Sequence, residues 1–145
     1  MYTISKEFHF SASHQLFGLP VDHPCTRLHG HNYIVIVELT SVNLSKIGFV
    51  KDYRELEPIK KFIDENLDHR HLNDVLQFNP TAENIAKFFF KKFKKDFPQL
   101  SAIIVKETEK TAARYITSHD EEDHIEMELK DYREMYSDVF NKAKR

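Results

Sequence analysis

Residues Tyr2 to Phe10 alternate in character, with Ile4, Phe8 and Phe10 on one side and Thr3, Ser5, Glu7 and His9 on the other. A period of two sends successive side chains to opposite faces, so the segment predicts a half-buried strand, which Ser11 to His14 can continue irregularly. Asn32 to Thr40 is rich in β-branched and aromatic residues and predicts a second strand. Leu100 to Thr108 predicts a third, with Ile103, Val105 and Glu107 at one parity, and Ala112 to Thr117 a fourth. Two stretches change to a helical period. Asp52, with Glu55 in capping-box position, opens a helix whose apolar face is Leu56, Ile59, Phe62, Ile63 and Leu67. Pro58 lacks an N–H, so the start of that helix is expected to be a separate turn or a kink. Asn79-Pro80-Thr81 opens a second helix, along which Ile85, Phe88, Phe89, Phe93 and Phe97 recur opposite Lys91, Lys94 and Lys95, until Pro98 closes it.

The order strand, strand, helix, helix, strand, strand implies an α+β fold. Its expected form is a four-stranded antiparallel sheet with both helices on one face. The connections are a long loop from Gln15 to Leu28, a turn region from Ser41 to Gly48 and a polar loop from Asp68 to Asp74. A loop as long as the first is often functional. After the acidic run Asp120 to Asp123, Ile125, Leu129, Tyr132, Tyr136, Val139 and Phe140 predict a C-terminal amphipathic helix. The expected organisation is therefore a domain over 1–117 and an acidic helical extension over 118–145.

Composition adds limits. A chain of 145 residues, 41% hydrophobic and 30% charged, is one globular domain with a real core. The net charge of -2 is uneven, because residues 118–145 hold nine acids against five bases and leave the body slightly positive. Neither half demands a nucleic-acid partner, and a mildly basic body suits an anionic small substrate. No apolar stretch approaches the length of a membrane span, and the N-terminus carries no signal-peptide pattern. A single cysteine cannot form an internal disulfide, so a reducing, cytoplasmic setting is expected.

The chemistry concentrates in Cys25-Thr26-Arg27-Leu28-His29-Gly30-His31, which runs into the second strand. If the strand includes them, His29 and His31 project from one face, and neutral imidazole is a preferred zinc ligand. A catalytic zinc typically takes three protein ligands. The third is open among His9, His14, His23, His69, His71, His119 and His124. His14 is favoured because it ends a strand expected to pair with the second, whereas His9 falls on the polar face. Cys25 can be a fourth ligand, an inert small hydrophobe, or a thiolate acting as base or nucleophile. Asp68-His69 offers a carboxylate–imidazole pair, or simply a solvated helix end. Glu107 is a carboxylate at an apolar parity, which is unfavourable unless paired or functional. Its two acceptor oxygens suit the adjacent N–H donors of a guanine-like or pterin ring.

Six pieces recur in order over about residues 2–117: Phe10-Ser11-Ala12-Ser13-His14, Cys25-x-x-x-His29-Gly30-His31, Asp52-Tyr53, Leu67-Asp68-His69 with Leu72-Asn73, Asn79-Pro80-Thr81-Ala82-Glu83, and Val105-Lys106-Glu107-Thr108. Together they resemble the family of 6-pyruvoyl-tetrahydropterin synthase and 6-carboxy-tetrahydropterin synthase. The resemblance implies the tunnelling fold and a homo-oligomer, usually a hexamer of two trimers, with active sites between subunits. It implies Zn2+ on His14, His29 and His31, Cys25 as the proton-abstracting base, and a relay of His69 with Asp68 or Glu107. It also implies Glu107 as anchor of a pterin ring. Arg27, a cation within the Cys25–His31 stretch, is itself a candidate to assist near anionic groups of the substrate. The three-residue gap between Cys25 and His29 resembles the carboxy branch, which works toward queuosine, a 7-deazaguanine. The implied reaction converts 7,8-dihydroneopterin triphosphate to 6-carboxy-5,6,7,8-tetrahydropterin, releasing acetaldehyde and triphosphate. The alternatives are the pyruvoyl synthase and a non-catalytic, zinc-stabilised pterin-binding module in which Cys25 closes a four-ligand site. Residues from about Ser118 onward have no counterpart in the short form of the family.

Overall fold

A computed structural model describes residues 1–117, so the expected C-terminal helix, His119 and His124 lie outside the described residues. The chain runs β1 (Tyr2–His14), β2 (His29–Ser41), α1 (Glu57–Asn66), β3 (Arg70–His71), α2 (Leu72–Val75), α3 (Ala82–Phe93), β4 (Leu100–Thr108) and β5 (Thr111–Ile116). The strands form one sheet in the order β3-β1-β2-β4-β5, antiparallel throughout except where β3 joins β1. The α+β class is the expected one, with five strands in place of four. The additional strand has only two residues, paired to Ala12 and Ser13. So short a bridge has no hydrophobic period, and for that reason residues 68–74 read as loop.

β1 is longer than its clean alternation, because it stays paired with β2 from Tyr2↔Ser41 to His14↔His29. Its even-numbered residues from Phe8 and the odd-numbered residues of β2 from Tyr33 are buried on the same face. α1 and α3 cover that face, α3 lying against β4 and β5 and α1 against β1. Asp52 caps a short 3-10 turn, Tyr53–Leu56, by accepting the Arg54 N–H at 2.9 Å, and α1 begins only at Glu57. Pro58 then sits in the first turn, where its missing N–H has no intrahelical partner to lose. Thr81 caps α3 through its hydroxyl, which accepts the Asn84 N–H at 3.2 Å.

The phenylalanine stripe is packing. Phe62 meets Phe88, Phe89 and Phe93 at centroid separations of 5.8–6.1 Å, tilted or edge-to-face. One expectation fails here. The helical period puts Lys91 on the polar side of α3, yet both Lys91 and Lys92 are buried. Their methylene stems pack like aliphatic side chains, and the Lys92 ammonium lies 4.4 Å from the Phe62 ring centroid, where the ring's π-face attracts it. No helix among the described residues is long and apolar enough to cross a membrane.

Candidate metal centre and active site

The end of the β1–β2 ladder brings three imidazoles together on the core face of the sheet. His14 is the cross-strand partner of His29, and His31 stands opposite Ala12, two residues further along the same face. The ring centroids of the three are 4.5–5.0 Å apart, and their ligand nitrogens all lie within 4.8 Å of one another. Of the open candidates, strand pairing thus brings His14 to the other two histidines, in a group that could hold a metal ion. His9 projects from the opposite face, largely exposed, with its ring 3.4 Å from Glu7. His23 accepts the Cys25 N–H, and His71 bonds Ser13 at 3.0 Å.

Backbone carbonyls set the proton positions on two of these rings. The Pro80 carbonyl faces His14 Nδ1 at 2.8 Å, and the Arg27 carbonyl faces His29 Nδ1 at 2.7 Å. A carbonyl oxygen only accepts, so both Nδ1 atoms carry protons and the neutral rings present lone pairs at Nε2. Those Nε2 atoms face each other at 2.9 Å. Two facing lone pairs repel unless a cation lies between them, and a Nδ1–H held by a carbonyl is the usual support of a metal-binding histidine. Burial pushes the His14 and His31 imidazoles below the ordinary histidine range, which favours the neutral, ligating form. The donor set fits a zinc ion on three nitrogens with an open fourth position. Tyr33, fully buried, places its hydroxyl 3.0 Å from His14 Nδ1, and burial pushes its phenol above the usual range.

The Cys25 thiol does not join the cluster. Cys25 occupies the middle of a 3-10 turn, Pro24–Thr26, half-buried, with its N–H given to His23 Nδ1 at 3.1 Å and its carbonyl accepting from Leu16 N–H at 2.8 Å. The Arg27 side chain is exposed, and the group that Arg27 brings to the centre is its carbonyl.

Asp68 and His69 do form a pair. His69 adopts φ 57°, in the left-handed region, which turns its ring back so that Nδ1 lies 2.9 Å from Asp68 Oδ2. The other Asp68 oxygen accepts the Ser11 N–H at 2.9 Å, and this bond, followed by the one from His69, holds the carboxyl below its usual range. The His69 side chain is 83% exposed, and among the described residues no hydrogen bond joins it to Cys25. The Asp68–His69 half of the expected relay is paired, and no hydrogen bond among the described residues links it to Cys25.

Glu107 lies near the end of β4, half-buried on the same face as the histidines. Burial pushes its carboxyl upward, partly offset by His14, while the charge of Glu83 at the start of α3 adds to the rise. It has no hydrogen-bond partner among the described residues. Glu83 belongs to one of the six resembling pieces but has no role of its own in the sequence, where a glutamate in the first turn of a helix reads as an ordinary dipole-stabilising residue. Tyr33 and Pro80 were also missed as supports, since only cross-strand geometry and the returning loop bring them to His14.

A histidine triad able to hold a metal at a strand end, a nearby carboxylate with no hydrogen-bond partner among the described residues and a held cysteine turn define a class of small α+β enzyme-like sites. Residues 3–118 match the family described as 6-pyruvoyl tetrahydropterin synthase, and the chain belongs to that family. It is similar to a protein of Synechocystis named 6-carboxy-5,6,7,8-tetrahydropterin synthase, with 38% identity covering 81% of this chain and 95% of the relative. A protein of the same name from Haemophilus influenzae is 36% identical, over 66% of this chain and 84% of its own. Among solved structures, 6-pyruvoyl tetrahydropterin synthase of Caenorhabditis elegans superposes with TM-score 0.71 at 28% identity, covering 81% of this chain and 96% of that one. The sheet and helices are those of the tunnelling fold.

Proposed function

We propose that the chain is a zinc-dependent carbon–carbon lyase of the cytoplasm. Its substrate is 7,8-dihydroneopterin triphosphate, and its products are 6-carboxy-5,6,7,8-tetrahydropterin, acetaldehyde and triphosphate, on the route to queuosine. The observation that carries this reading is the pair of carbonyl-locked histidines whose Nε2 atoms face each other at 2.9 Å, with His31 beside them. His14, His29 and His31 hold the metal, which supplies Lewis acidity toward substrate oxygens. Glu107 accepts from donor groups of the substrate beside the metal, a task open to a carboxylate that has no hydrogen-bond partner among the described residues. Cys25 removes a proton from the substrate side chain, and His69, oriented by Asp68, exchanges protons with the thiol. Arg27 lies on the same loop, exposed toward an anionic substrate.

The absence of a hydrogen bond between Cys25 and the exposed His69 among the described residues favours a homo-oligomer, a hexamer in this reading, whose neighbouring subunits complete each site. The branch assignment draws on the relatives named for the carboxy product. The pyruvoyl synthase is the rival within the family, favoured by the name of the matched family and of the nematode structure. Mass analysis of products from the zinc-loaded protein and dihydroneopterin triphosphate separates the two. The carboxy product is expected, and a pyruvoyl product would replace this assignment. A non-catalytic four-ligand module is disfavoured because the Cys25 thiol stands outside the histidine cluster.

A further inference from the structure

Immediately after His14 the chain leaves the sheet, yet residues 15–17 remain hydrogen-bonded on both sides. On one side Asn73 accepts the Gln15 N–H at 2.8 Å and donates its amide to the Gln15 carbonyl, also at 2.8 Å. Asn79 does the same at Phe17, accepting at 3.1 Å and donating at 2.9 Å. Each carboxamide exchanges both hydrogen bonds with one residue, which is what a paired residue of an antiparallel strand does. The two asparagines therefore extend the β3 side of the sheet with side chains in place of backbone. Leu16 points the other way, and its N–H donates to the Cys25 carbonyl at 2.8 Å, with Gln15 Nε2 reaching Thr26 O at 3.4 Å. The Cys25 turn thus hangs from a segment that the two carboxamides hold. Asn79 precedes Pro80, whose carbonyl orients His14, so one dipeptide fixes both a candidate metal ligand and the thiol's support.

We propose that Asn73 and Asn79 are positioning residues for Cys25, setting the place of its turn relative to His14 through residues 15–17. Loop residues 15–28 have no strand partner of their own to perform this task. The thiol's role rests on the lyase reading, whereas the mechanical part of the inference does not.

Asn73→Asp and Asn79→Asp test it. The new carboxylate keeps its size and still accepts the backbone N–H, but it sets an anionic oxygen against the carbonyl that the amide served. The first readout is hydrogen exchange across the zinc-loaded chain. Protection of Leu16 is expected to fall in either variant, while that of the paired residues of β1 and β2 is kept. The second is steady-state turnover of dihydroneopterin triphosphate. Misplacing a reacting group by about 1 Å lowers turnover on the order of a hundredfold, so kcat should fall by about tenfold or more with KM and bound zinc retained. Unchanged protection at Leu16 in both variants would overturn the clamp. Loosened protection with unaltered kcat would overturn the positioning role. If the wild-type chain makes no pterin product, the lyase reading fails, and the exchange experiment still decides the clamp. Should one variant not fold, the other carries the same test, because each carboxamide holds a different residue of the segment.

Discussion

The proton on His14 Nδ1 decides what this centre can bind, because a carbonyl on that side leaves the opposite nitrogen as a donor to a cation. Smaller features of single residues guard the same geometry. A Cβ on Gly30 would stand 3.2 Å from the Ala12 carbonyl oxygen, on the strand opposite and between the two histidines of its own. The three nearest atoms are all backbone of β1, at Ala12 and Ser13, so little there can give. Gly30→Ala is therefore expected to spread the ladder at the centre and weaken zinc binding by about tenfold, the lower end of the effect of disturbing a ligand's support. Competition with a metallochromic chelator measures it, and unaltered affinity would show that the strands can yield. Glu107 poses a different question. Glu107→Gln removes a half-buried carboxylate without a hydrogen-bond partner among the described residues, so the melting temperature should not fall. Substrate affinity should drop by about tenfold to a hundredfold, the worth of a hydrogen bond to a charged group. Titration of a non-reacting pterin analogue tests this, and equal affinity would remove Glu107 from the substrate contacts.

At the scale of elements, the Asp68–His69 turn ties the end of α1 to β1 through the Ser11 N–H and the Ser11 carbonyl, which accepts from His69 N–H at 2.7 Å. Asp68 is held below its ordinary range in the folded chain, so the fold gains from its ionisation above the unfolded carboxyl value of about 4 and loses that gain as pH falls through the folded value. Asp68→Asn should lower the melting temperature at neutral pH, and its gap to the wild type should narrow as the solution is acidified below about pH 4. A gap independent of pH would mean that packing, not charge, is what Asp68 contributes. Such a turn shows where sequence reading stops. The alternation of Ile4, Phe8 and Phe10 and the two-residue spacing of His29 and His31 are local, so their faces follow from the period alone. His14 could be favoured over His9 because strand parity is also local. The left-handed His69, the two-residue β3 and the carboxamides of Asn73 and Asn79 depend on partners about sixty residues away, and no periodicity announces them. Lys91 and Lys92 were misplaced or overlooked for a related reason. A helical wheel has one apolar side, whereas α3 is covered more widely than its phenylalanine stripe.

For the whole molecule, the proposed relay between Cys25 and an exposed His69 would make assembly part of the chemistry. If the relay closes across a subunit boundary, a chain lacking Cys25 can still lend its His69, and a chain lacking His69 can still lend its Cys25. Cys25→Ala and His69→Ala are each expected to be inactive when they assemble alone. Mixed in equal amounts, unfolded and refolded together, they should recover about a quarter of wild-type turnover. In a symmetric assembly of randomly mixed chains that is the share of boundaries at which an intact thiol meets an intact imidazole. Zinc content should be unaffected, because all three metal histidines remain in both variants. A relay closed within one chain predicts the opposite result, since no mixture then contains a complete site and activity stays at the level of the single variants. Refolding the variants separately and then combining them gives the internal control. Recovery should appear only under conditions in which subunits exchange.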